Sequence, residues 1–170
     1  MNEARQKEWL EKHSDEVLER VGITEDCMVL DFGCGAGAYT IPAARLAGSR
    51  GKVYALDKDK TVLEKLEKRA LKEGLQTIQT ILSSDIDVGL GDGCVDIVLL
   101  HDVIHLINER AILLSQVHRI LKPDGLVSIY PMHVDNDELF RQMRESRFSL
   151  AAEEYGGSIL VFMKANGRCC

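Results

Sequence analysis

Val29-Leu30-Asp31-Phe32-Gly33-Cys34-Gly35-Ala36-Gly37-Ala38 is the stretch that decides the reading of this chain. A short apolar run carries an acid at its end, and glycines follow at alternate positions. Glycine lacks a Cβ, so the backbone can turn sharply there and pass close to a ligand. A helical pattern begins at once, so the segment reads as strand, tight glycine loop and helix start. That geometry suits a nucleoside-bearing cofactor held at the carboxyl end of a strand.

Outward from this loop, the spacing of apolar residues predicts an alternating chain. Residues 3–21 read as one amphipathic helix with Trp9, Leu10, Val17 and Val21 near one face and Gly22 as its stop. Met28–Phe32 is the first strand. Tyr39–Leu46 is helical, with Pro42 tolerated in its first turn. Lys52–Leu56 is a second strand closed by Asp57, and Val62, Leu63, Leu66, Ala70 and Leu71 mark a helix stopped at Gly74. Thr77–Leu82 is a third strand. Val95–Leu100 is a fourth, almost wholly apolar and therefore central. Asn108 is the expected cap of a helix burying Leu113, Leu114, Val117 and Leu121. Pro123-Asp124-Gly125 reads as a turn before a fifth strand, Leu126–Tyr130, and Asp135–Arg147 reads as a helix. Phe148–Tyr155 and Ser158–Lys164 are strands joined by Gly156-Gly157, a two-residue hairpin signal. The expected fold is α/β: a Rossmann-like, doubly wound, mostly parallel sheet of seven strands with a C-terminal antiparallel hairpin.

At 170 residues the chain is expected to form a single domain, with 1–22 a helix covering the site and 27–164 the core. Its net charge of -6 argues against nucleic acid, whose phosphates call for a basic surface. No apolar run approaches the roughly 18 residues needed to cross a bilayer, and the charged segment 1–20 does not read as a signal peptide. A cytoplasmic protein is expected. Of the cysteines, Cys27 and Cys34 flank the first strand, Cys94 sits in a glycine turn, and Cys169 and Cys170 end the chain. They read as reduced thiols, the alternative being a soft metal or metalloid held at Cys34 or the terminal pair.

Four separated features resemble the class I S-adenosylmethionine-dependent methyltransferases, over about Cys27 to Lys164. They are Asp31-x-Gly33-x-Gly35-x-Gly37 after strand one and Asp57 at the end of Val53-Tyr54-Ala55-Leu56-Asp57. With them stand Ser84-Asp85-Ile86 after strand three and Leu121-Lys122-Pro123-Asp124-Gly125-Leu126 before strand five. Gly33-x-Gly35-x-x-Ala38 also satisfies the dinucleotide fingerprint, with Asp57 at the distance of a ribose-binding acid, so an NAD-binding Rossmann protein is the competing reading. Asp31, Asp85 and the closing hairpin favour the methyltransferase.

The resemblance implies S-adenosyl-L-methionine as cofactor and S-adenosyl-L-homocysteine as product. It implies that Gly33, Gly35 and Gly37 pass against the methionine part, with Asp31 organising the loop amides and the cofactor's ammonium. Asp57 would accept from the ribose hydroxyls, and the stem of Lys58 would cover the adenine. Asp85 would take the adenine amine, with Asp87 the neighbour that could replace it, and the Ile86 amide and side chain would meet the base. His101 would face the methionine end. Each has a plainer alternative: a tight turn, a loop-bracing carboxylate, a surface charge, or a histidine packed at a strand end.

His101 and His105 would share a face if helical, which suggests a metal pair with His133 as third ligand, yet the sequence offers no settled ligand set and no metal is expected. Methyl transfer from a sulfonium is an in-line displacement that depends chiefly on positioning. Where the acceptor must lose a proton, His101, His105 and His133 are the candidate bases by pKa, and Tyr39 and Tyr130 by position. Leu99-Leu100-His101-Asp102 stands where amino-methylating nucleic-acid enzymes carry an Asn/Asp-Pro-Pro-aromatic tetrapeptide. A small-molecule or protein acceptor is therefore expected, without nucleic acid or membrane. The short covering segments also suit a homo-oligomer. The alternative of another class is a cofactor-binding regulatory or scaffold protein without catalysis.

Overall fold

The computed structural model describes residues 3–165. Cys169 and Cys170, considered above as a metal pair, lie outside the described residues. The chain divides into two compact units between Ser84 and Asp85, and each is described by itself.

The first unit begins with two helices, α1 (Glu3–Lys12) and α2 (Ser14–Val21), where the sequence pattern predicts one. The break falls at His13, whose Nδ1 lies 2.8 Å from the Trp9 carbonyl oxygen and whose ring stacks on Trp9 at 4.2 Å. The side chain thus takes an acceptor that the helix backbone also uses. Gly22, in the left-handed region at φ 103°, ends α2 as expected. β1 (Met28–Phe32), α3 (Thr40–Ala47), β2 (Lys52–Asp57), α4 (Lys60–Lys72) and β3 (Ile78–Leu82) follow. The three strands run parallel in the order β3-β2-β1, with Asp31 opposite Ala55 and Asp57 opposite Leu82. Leu63, Leu66 and Ala70 on α4 pack with Ile41, Ala55 and Cys34 into one buried cluster, which seats the glycine loop on α4.

The second unit holds β4 (Val95–His101), a 3-10 turn at Ile104–Leu106, α5 (Arg110–Ile120), β5 (Leu121–Tyr130), α6 (Asn136–Glu145), β6 (Phe148–Glu154) and β7 (Ile159–Lys164). β4 and β5 are parallel; β5–β7 and β7–β6 are antiparallel. With the first unit's strands they give the seven-stranded order β3-β2-β1-β4-β5-β7-β6. This is the Rossmann-like mixed sheet that the sequence leads one to expect.

Three local expectations are corrected. Glu109, not Asn108, is the residue before α5, and no side chain caps that end. The segment Lys122–Gly125 does not precede β5 but bulges within it: Val95 pairs with Leu121, and the ladder resumes at Ile97 with Leu126. Lys122 Nζ reaches both oxygens of Asp96 at 2.8 Å, so the bulge is tied to the one strand residue it faces. The closing hairpin pairs Glu154 with Ile159, so its loop is Tyr155–Ser158 and not the two glycines alone. Ser158 Oγ donates to the Tyr155 carbonyl at 2.7 Å, and Tyr155 itself stands at φ 52°, which draws both flanking residues into the turn.

Candidate functional site

The first unit brings Asp31, the glycine loop and Asp57 together at the carboxyl ends of β1 and β2. The amides of Gly33 and Cys34 both donate to the Leu56 carbonyl, at 2.8 and 2.9 Å. The Asp57 carboxylate accepts from Gly35 N at 2.8 Å through Oδ2 and from Asp59 N at 2.9 Å through Oδ1. So the Leu56 carbonyl and Asp57, not Asp31, hold the loop amides, Asp57 that of Gly35. Gly33, Gly35 and Gly37 all stand at positive φ (77°, 51° and 83°). Their surroundings differ. A Cβ at Gly35 would meet nothing within 4 Å, whereas one at Gly37 would run into the Leu66 side chain. Gly37 is bare so that α4 can pack; Gly35 borders open space. That open, amide-lined turn beside a carboxylate fits a ligand carrying vicinal hydroxyls and a charged amine.

Asp31 is buried, and its Oδ2 accepts a 2.6 Å hydrogen bond from the hydroxyl of Thr40, itself fully buried at the first residue of α3. Burial pushes its carboxyl up to about 6; the Thr40 bond opposes this and the charge of Asp57 adds to it. Burial, with Asp31 and Asp57 close by, also raises the Cys34 thiol far above its ordinary value. A thiol held protonated is a poor ligand for soft metals. Lys58 is exposed at the end of β2.

In the second unit Asp85 is exposed and Ile86 half-buried. Asp87 is engaged elsewhere: Oδ1 accepts from Gly89 N at 3.0 Å and from Arg119 Nη2 at 3.4 Å. His101 is the last residue of β4, buried, with Nε2 2.8 Å from Ser128 Oγ. Burial lowers its pKa to about 3. A ring kept neutral so strongly accepts a proton poorly. Tyr39 and Tyr130 are likewise buried. His101 and His105 do not share a helix face, because one ends a strand and the other lies in the 3-10 turn. The groups at this end are instead Asp102 and His105, both half-buried, and the exposed His133. The rings of His105 and His133 meet edge to face at 5.3 Å, and His105 Nδ1 lies 3.9 Å from Asp102 Oδ1. Among the described residues no group of three or more His, Cys, Asp or Glu side chains could hold a metal ion.

Thr40, Ser128 and Asp102 went unnoticed as site residues in the sequence. Thr40 carries a signal, a hydroxyl at the start of the helix after the glycine loop; Ser128 does not, since its link to His101 rests on the β4–β5 register.

The model of a methyltransferase domain family matches residues 23–166. The chain belongs to that family. Among curated relatives of this methyltransferase domain is the demethylmenaquinone methyltransferase of Geobacillus stearothermophilus, 27% identical over 115 residues, or 68% of this chain and 49% of that protein. The methyltransferase domain thus spans about half the length of the curated relatives it matches. Its fold is that of a SAM-dependent methyltransferase from Aquifex aeolicus (TM-score 0.78, 22% identity, 96% of this chain and 97% of that one). It is equally that of the [4+2]-cyclase SpnF (TM-score 0.78, 15% identity, 92% and 82%).

Proposed function

We propose that this protein transfers a methyl group from S-adenosylmethionine to a small, largely apolar acceptor. The observation that carries this reading is the turn at Gly35, open on one side and clasped by Asp57 on the other. When bound, the cofactor supplies an electrophilic methyl group on a sulfonium. The chain's own part is to hold and orient. Asp57 is already fixed by two backbone amides, so its carboxylate meets ribose hydroxyls without reorganising. Asp31 offers a buried negative charge to an ammonium, and the ammonium in turn favours the ionised form. Asp85, Ile86 and Lys58 are assigned to the adenine, as the family resemblance implies. The name of the Geobacillus relative suggests an acceptor of quinol type.

Isothermal titration of the full chain with S-adenosylmethionine, and separately with NAD, tests the cofactor. Asp57→Ala is expected to weaken binding on the order of a hundredfold, two hydrogen bonds to a charged group being lost. An unchanged dissociation constant, or heat with NAD alone, overturns the reading. A second reading, binding without transfer, draws on the likeness to a fold whose named member is a cyclase. Labelled methyl from the cofactor, offered with a small-molecule extract, separates the two: label stays on the cofactor if the protein only binds.

A further inference from the structure

The second unit carries an acid–imidazole pair that the cofactor does not account for. Asp102 ends the turn out of β4 in the left-handed region (φ 54°), and His133, just beyond β5, does the same (φ 56°). Such backbone in non-glycine residues costs free energy and gathers at working sites. The two strained residues flank one side chain. His105 Nδ1 is buried without a hydrogen bond, 3.9 Å from Asp102 Oδ1, while His133 closes over the ring edge. The side chain keeps 20% exposure, none of it at Nδ1. A carboxylate beside one nitrogen of a half-buried imidazole is the arrangement of a general base, and such pairs are often loose before substrate arrives.

The surroundings narrow the acceptor. Leu106, next in the chain to His105, is 62% exposed, and Ile112 at the start of α5 is 50% exposed. The nearby cation, Arg110, is spent: Nε donates to the Ile104 carbonyl at 3.1 Å and Nη1 pairs with Glu138 at 3.5 Å. The charged and titratable groups seen beside His105 are Asp102 and His133, with the Arg110–Glu138 pair next along. A guanidinium already paired attracts a carboxylate weakly, and the apolar neighbours disfavour an ammonium.

We propose that His105, oriented by Asp102, is the base that takes the proton of a neutral hydroxyl, phenolic or enolic, on an apolar acceptor. This rests on the methyl-transfer reading and names its substrate class. In the step, the acceptor O–H bond breaks, its electron pair stays on oxygen, and the proton bonds to His105 Nε2. The imidazolium is steadied by the Asp102 carboxylate and later loses that proton to solvent.

The test uses the full chain with 4-nitrophenol, whose ionised form is coloured. With the wild type at a pH below the phenol's own pKa, bound 4-nitrophenol is expected to appear as phenolate. His105→Gln should abolish that colour, and Asp102→Asn should reduce it. NMR of the His105 ring nitrogens should show the proton of the neutral ring on Nδ1, facing Asp102, and a loss of that preference in Asp102→Asn. In turnover, His105→Gln should lower kcat by about 10²–10⁴-fold and remove the rising limb of the pH profile, while S-adenosylmethionine titrates as in the wild type. Equal phenolate in wild type and His105→Gln, or a His105 tautomer indifferent to Asp102, sinks the proposal. Failure to bind S-adenosylmethionine sinks the methyl-transfer reading instead, and leaves the phenolate and NMR results to stand or fall by themselves.

Discussion

Asp31 is the residue where stability and binding pull apart. Its pKa rises from 3.8 to about 6, chiefly through burial, so the folded chain holds a proton there that the unfolded chain releases. A raised carboxyl stabilises fully below the unfolded value and loses that contribution as pH climbs through the folded one. At neutral pH the ionised, buried group therefore costs up to about 3 kcal/mol. Asp31→Asn removes the charge and keeps an acceptor for the Thr40 hydroxyl. It is expected to raise the unfolding free energy by about 1–3 kcal/mol at pH 7, in urea denaturation, and to lose the gain below about pH 4. The same variant should bind S-adenosylmethionine far more weakly. A variant neither stabilised nor impaired would remove Asp31 from the ammonium's site. The sequence shows Asp31 and Asp57 as acids at the ends of apolar runs, and no more. Which of them braces the loop depends on Gly35 N meeting Asp57 across two strands, a long-range contact that no local pattern encodes.

At the scale of elements, α4 was legible from the spacing of the face it buries, and β1 and β4 from short apolar runs that are buried almost throughout. Misreadings fall where one side chain or one register decides. His13 breaks a helix that its neighbours would continue. The Lys122–Gly125 bulge reads as a plain turn, since a Pro-Asp-Gly run says nothing of the strand beside it. Gly125 is required there for space: a Cβ would stand 2.8 Å from Leu121 Cδ2 and 3.0 Å from the Lys122 carbonyl oxygen. Leu121 is fully buried opposite Val95, and the carbonyl belongs to the bulge itself. Gly125→Ala must push one or the other. It is expected to destabilise by about 1–3 kcal/mol in urea, the usual toll of overpacking. Gly91→Ala, whose Cβ meets nothing within 4 Å, serves as the control and should lie near wild type.

For the molecule as a whole, acid should act oppositely on the two units. His101 in the second is buried neutral, with its pKa lowered from 6.5 to about 3. Its unfolded form takes up a proton that the folded form refuses, so stability falls as pH drops below 6.5. Asp31 in the first unit has the reverse sign and gains stability as pH drops through 6. At about pH 4.5 each effect amounts to about 2–3 kcal/mol relative to neutral pH. The ion pairs Arg50–Asp26 and Arg45–Glu73 hold their carboxyls below the ordinary range, but both are exposed and change this little. Hydrogen exchange at about pH 7 and about pH 4.5, corrected for the intrinsic rate, reads both signs in one sample. Protection of β4 and β5 amides should fall on acidification while protection of β1 and α3 amides holds or rises. His101→Gln, an uncharged side chain still able to bond Ser128, should cancel the fall in β4 and β5 and leave the first unit's response as it was. Parallel losses in all four elements, unmoved by that substitution, would show that neither buried group governs the acid response.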